Sequence, residues 1–116
     1  MGFFDFGDKG NKVKRISPAE VKSALEAPGA GVLLDVRTPA EHRQIRIPGS
    51  ILIPLNAITA SAAQLLTDKN KPIYVYCQSG ARSSSAARTL ASMGYTEVYD
   101  LGGIMAWPYT TERGGN

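Results

Sequence analysis

Apolar and polar positions change period repeatedly along this 116-residue chain, and the changes mark out elements. "VKRIS" (13–17) predicts a short strand. "SPAEVKSALEA" follows with a helix start: Ser17 as N-cap, Pro18 at the first helical position and Glu20 three residues after the cap. "PGAG" (28–31) breaks that helix, and "VLLDV" (32–36) is an apolar run of the kind expected for a strand buried on both faces. "TPAEHRQ" (38–44) repeats the start signal with Thr38, Pro39 and Glu41, predicting a short helix. "IPGS" (47–50) reads as a turn, "ILIPL" (51–55) as a strand and "NAITASAAQLLTD" (56–68) as a helix capped by Asn56. "KPIYVYC" (71–77) predicts a buried strand and "ARSSSAARTLASMG" (81–94) a helix closed by Gly94. "TEVYDL" (96–101) is the last strand, followed by a turn and a short helical piece over "GGIMAWP" (102–108).

Strands alternating with helices over the whole length predict an α/β domain of three layers around a mostly parallel sheet. The expected boundaries are a glycine-rich tail with three phenylalanines (1–12), one domain (13–108) and a polar tail (109–116). In such sheets ligands bind outside the carboxyl ends of the strands, and Cys77 stands at one of those ends.

Composition narrows the chemistry. With 43% hydrophobic and 20% charged residues the chain is ordinarily globular, and its charge of +3 is scattered, so neither nucleic acid nor membrane is an expected partner. The single cysteine excludes an internal disulfide, a CxxC redox pair and a cysteine-based zinc cluster, and with one histidine, His42, no metal is expected. "MGFFDFGDKGNK" lacks the basic and apolar regions of a secretory signal, and Phe6 occupies the Ser/Thr position of a myristoylation site. No apolar run reaches the roughly 20 residues of a membrane span. A soluble, reducing, cytoplasmic setting is the expectation.

A cysteine ending an apolar strand is ordinarily a small core residue. Here the neighbours change that balance. "QSGAR" predicts a tight turn in which Gly80 supplies backbone freedom. If the turn curls around the sulfur, amides of residues 78 to 83 form an anion-binding nest, and the next helix adds its positive dipole end. Arg82 adds a fixed positive charge. Each favours thiolate over thiol. Ser83, Ser84 and Ser85 either cap the helix, line the cup or face solvent.

"LLDVRTPAEH", "IPGSILIPL" and "PIYVYCQSGARSSSAARTLASMGYTEVYDLGGIMAW", in that order, resemble a single-domain rhodanese, a sulfurtransferase, over residues from about 13 to 108. The resemblance implies the rhodanese fold, a central sheet of five parallel strands flanked by helices. It implies that Cys77 carries a persulfide and that Gln78, Ser79, Gly80, Ala81 and Arg82 form the substrate-binding loop, to which Ser83 is added as a candidate that could line the cup. Asp35 and Arg37 match the "DVR" signature, which supports the site structurally. Gly102, Gly103 and Trp107 match the terminal motif. Many relatives carry His just before "IPG"; here Arg46 and Ile47 precede Pro48, which bears on the preferred donor.

The implied reaction is two-step covalent catalysis without metal or organic cofactor. Cys77 takes sulfane sulfur from thiosulfate or a persulfide and passes it to cyanide, a small thiol or a protein thiol. Two rivals share the fold. One is a non-catalytic rhodanese-like binding module, which usually lacks the cysteine or the loop arginine. The other is a Cdc25-type phosphatase or arsenate reductase, which needs five residues between Cys and Arg, whereas four separate Cys77 from Arg82.

Overall fold

A computed structural model describes residues 12–114. The strands are β1 (Val13–Arg15), β2 (Val32–Asp35), β3 (Ile51–Leu52), β4 (Ile73–Cys77) and β5 (Val98–Gly103). They form one sheet in the order β1-β5-β4-β2-β3, and every pairing is parallel, so the sheet is wholly rather than mostly parallel. The helices are α1 (Pro18–Glu26), α2 (Pro39–Gln44), α3 (Ile58–Leu65) and α4 (Ala81–Ser92), with 3₁₀ turns at Leu55–Ala57 and Ile104–Ala106.

Side-chain alternation along β4 divides the interior in two. Ile73, Val75 and Cys77 join Leu34, Val36, Ile58, Ala62, Ala86, Ala87 and Leu90, the cluster under α3 and α4. Tyr74 and Tyr76 join Leu33, Val21, Ile47 and Leu101, the cluster under α1. β4 is buried along its whole length because strands flank it on both edges and helices cover both faces. Cys77 thus ends the most enclosed strand of the sheet.

Both Pro-containing helix starts form as predicted. Ser17 and Glu20 close one reciprocal capping box, and Thr38 and Glu41 close another. Several boundaries shift by a few residues from expectation, and three of the shifts bear on the site or its approach. β3 is regular over only two residues, although the Ile53 and Leu55 N–H groups still donate to the Asp35 and Val36 carbonyls at 3.0 Å; Pro54 between them, at the sheet edge, has no N–H to leave unpaired. The segment from 56 begins as a 3₁₀ turn, so α3 starts at Ile58 after Ala57 and Asn56 caps nothing. β5 extends through Gly102 and Gly103, which sequence periodicity placed in a turn.

Beyond Pro108 the chain folds back. Arg46 and Glu112 exchange two backbone hydrogen bonds of 2.9 Å, and the Arg46 guanidinium donates to the Gly114 carbonyl at 2.7 Å. The N-terminal aromatics and the Gly2–Phe6 motif lie outside the described residues. No helix among the described residues is long and apolar enough to cross a membrane.

Candidate active site

All strands run the same way, so Asp35, Cys77 and Gly103 end theirs at one edge of the sheet. Cys77 is 1% exposed, with its sulfur at the inner wall of a short loop. The chain turns back over that sulfur at Gly80, whose φ of +117° lies in the left-handed region. The turn aims the Gly80 N–H at Cys77 Sγ, 3.0 Å away. α4 begins at the next residue, and its free first-turn amides and dipole end face the loop. The sulfur therefore sits where negative charge is favoured.

A floor under the loop fixes its height. Between Val75 and Tyr76 the pairing with β5 slips by one residue, which sets Tyr76 opposite Gly102 and Cys77 opposite Gly103. A Cβ on Gly103 would fall 2.7 Å from the Ser79 Cα and would also overlap the Gln78 carbonyl. Only glycine lets the loop lie this close to the strand. Asp100 secures the same corner, its Oδ1 accepting from the Gly102 N–H at 3.0 Å and from the Ser83 hydroxyl at 2.7 Å. Ser83 is fully buried, its Oγ also 3.1 Å from the Gly80 carbonyl, so this side chain braces the loop from beneath.

One side of the loop rests on a buried charged network. Arg37 chelates Asp35 through Nε and Nη2 at 3.0 and 2.8 Å, with both side chains essentially inaccessible. It also donates to the Ile45 carbonyl at 2.6 Å and to Gln78 Oε1 at 3.1 Å. The Tyr76 hydroxyl and His42 Nδ1 lie 3.0 and 2.9 Å from Asp35 Oδ2. Burial alone would raise the Asp35 pKa, but hydrogen bonds from Arg37 and His42 outweigh it and hold the carboxyl below its ordinary value. Burial, reinforced by the Asp35 charge, pushes the Tyr76 phenol up to about 12. The pair Asp35–Arg37 is tied to the loop through the Gln78 side chain.

Arg82, at the start of α4, is clamped. Its two terminal nitrogens donate to Glu41 Oε1 and Oε2 at 2.8 and 3.0 Å, with the two side chains 34% and 29% exposed. The Arg82 hydrogen bond, against a smaller opposing effect of burial, holds the Glu41 carboxyl down at about 2. Arg82 remains within electrostatic reach of Cys77. It also borders a cavity of about 210 Å³ lined by Val36, Arg37, Thr38, Pro54, Leu55 and Asn56.

The structure therefore brings Cys77, Gly80 and Arg82 to one mouth, while Gln78 and Ser83 turn their side chains into supporting contacts. Ser79 in the loop and Ala81 at the start of α4 are exposed. Glu41, Tyr76 and Asp100 belong to the site's framework and were missed. Glu41 was visible only as a capping residue, and the other two carried no local signal. Among the described residues no group of three or more His, Cys, Asp or Glu side chains is arranged to hold a metal ion.

Comparison with known proteins agrees with this architecture. The model of the rhodanese-like domain family matches residues 17–109. The thiosulfate sulfurtransferase PspE of Escherichia coli is 39% identical over 71 residues, 61% of this chain and 68% of that protein. The thiosulfate sulfurtransferase GlpE of Pseudomonas syringae is 37% identical over 98 residues, 84% of this chain and 89% of that one. A rhodanese-like domain from Anabaena, solved in solution, superposes with a TM-score of 0.78 at 31% identity, covering 85% of this chain and 78% of that one. A rhodanese-like domain protein from Staphylococcus aureus gives 0.75 at 30% identity over 88% and 99%. With the Gly80 N–H turned onto its strand-end cysteine and a matched span of residues 17–109, the chain belongs to the rhodanese-like domain family.

Proposed function

We propose that this chain is a sulfurtransferase that carries sulfane sulfur as a persulfide on Cys77. The observation that carries the proposal is the Gly80 N–H on Cys77 Sγ at the carboxyl end of β4, in a loop built to stabilise a sulfur anion. In the first half-reaction the thiolate attacks the outer sulfur of thiosulfate or of a persulfide. The S–S bond breaks, its electron pair leaves with sulfite or the thiolate, and the transferred sulfur stays on Cys77. In the second, the acceptor attacks that outer sulfur and Cys77 leaves as thiolate. The loop amides stabilise negative charge on sulfur in both steps without reorganising. The chain has one cysteine, so the acceptor thiol or cyanide is external to it.

The assigned roles are Cys77 as nucleophile, the backbone of residues 78 to 83 as sulfur cradle, Arg82 as the cation at the mouth, and Asp35 with Arg37 as support. Incubation with thiosulfate or a small persulfide should add the mass of one sulfur atom to the protein. Cyanide should remove it, and Cys77→Ala should never acquire it. Absence of the adduct with every sulfur donor would sink the proposal.

A further inference from the structure

Both arginines that line the cavity beside the mouth already hold a carboxylate. Arg37 is chelated by buried Asp35, and Arg82 makes two hydrogen bonds to Glu41. Glu41 is itself held by Thr38, whose N–H donates to Oε1 at 2.9 Å and whose hydroxyl lies 3.2 Å from it, so the carboxylate is anchored from behind. A doubly charged donor entering here meets a guanidinium whose charge is compensated. It must shed water without gaining a free cation in exchange. The adjoining cavity of about 210 Å³ offers instead the apolar surfaces of Val36, Pro54 and Leu55, with the polar groups of Thr38 and Asn56 beside them. That is more room, and more apolar wall, than a five-atom anion can use.

Resting on the sulfurtransferase proposal above, we infer that Glu41 sets the donor class of this site: by engaging Arg82 it disfavours dianionic thiosulfate and leaves the cavity to the organic group of a low-charge persulfide. The transfer balances as Cys77–S⁻ + R–S–SH → Cys77–S–SH + R–S⁻. The thiolate forms a bond to the terminal sulfur, the donor's S–S bond breaks, and its electron pair leaves on R–S⁻. R lies along Val36, Pro54 and Leu55, where burial of its methylenes adds affinity that thiosulfate cannot draw on. Glu41 touches neither reacting sulfur; it acts through Arg82 and is a specificity residue.

The test compares 2-hydroxyethyl persulfide with thiosulfate in wild type and Glu41→Gln, reading single-turnover sulfur loading of Cys77 by mass and steady-state kcat and KM with cyanide as acceptor. Gln is well suited to this helix position, so the cap survives while the charge goes. Wild type should load from the persulfide at least about tenfold more efficiently than from thiosulfate. In Glu41→Gln the thiosulfate KM should fall roughly tenfold with kcat nearly constant, as one uncompensated charge at contact range allows. Its thiosulfate kcat/KM should become steeply salt-dependent, and the persulfide constants should stay within about twofold. An unchanged thiosulfate KM in a folded Glu41→Gln overturns the inference. A wild type that prefers thiosulfate overturns it too, without recourse to any variant. If Cys77 loads from both donors and either of those results appears, the sulfurtransferase proposal stands and this one falls. If Cys77 loads from neither donor, both fall.

Discussion

α1 opens with Ser17, Pro18, Ala19 and Glu20, and α2 opens with Thr38, Pro39, Ala40 and Glu41. Each closes the same reciprocal capping box, with hydrogen bonds of 2.9 to 3.2 Å. Around this shared core the two helix starts diverge. Ile16, before the first cap, packs against the apolar cluster under α1, whereas Arg37, before the second, is buried on Asp35. Glu20 is fully exposed and serves its own helix alone. Glu41 reaches across to Arg82 in the first turn of α4, 41 residues away in sequence. One local device is thus used once for folding and once for folding and a site. What separates the two is only what stands opposite.

Three perturbations should open the contrast, in falling order of effect. Arg37→Met leaves the Asp35 carboxylate buried without its guanidinium, keeping His42, Tyr76 and the backbone N–H of residue 37 as partners. The cost should be about 3 kcal/mol in a urea titration, against about 1 kcal/mol for Ile16→Ala at the half-buried equivalent. A next, smaller difference should appear in acid. The Glu41 carboxyl drops from an ordinary 4.5 to about 2 on folding, so its contribution is full above the unfolded value and is lost as pH falls from 4.5 towards 2. Glu41→Gln should remove about 1 kcal/mol of that acid limb, after allowance for solvent screening, while Glu20→Gln should leave the limb close to wild type. An identical acid profile for the two variants would show that the Arg82 pair contributes nothing.

The smallest contrast concerns the caps. Ser17→Ala and Thr38→Ala should each cost about 1 kcal/mol. Only Thr38→Ala should also change the thiosulfate KM, by less than about twofold, because it slackens the hold on Glu41. Equal kinetics for the two would mean that Glu41 is fixed by Arg82 without help from its own helix.

How much was readable from residues alone follows the range of each interaction. Capping boxes span three residues, so Ser17 and Thr38 were legible, and so was the apolar strand delivering Cys77. Asn56 misled because a good capping residue was present, but Pro54 and the 3₁₀ turn moved the helix start past it. Ser83 resembled a cup-lining hydroxyl, yet its partner Asp100 lies 17 residues on, in β5. Gln78 sits in the loop motif, but Arg37 draws its side chain away from the mouth. The glycines of "LGG" read as a turn; their service as a floor depends on a one-residue slip between β4 and β5 that no local pattern encodes.

If Cys77 carries sulfur as proposed above, its near-complete burial has a consequence for how that cargo is handled. An S–S bond is about 2.0 Å long, so a sulfur added to Sγ lies one bond length from an atom that belongs to the apolar cluster beneath α3 and α4. The carrier atom would stay embedded while the passenger stood at the rim. Loading and unloading would then alter the entrance and leave the interior untouched, so that the domain need not breathe with each turnover. A bulky reagent would find the passenger before it found the carrier.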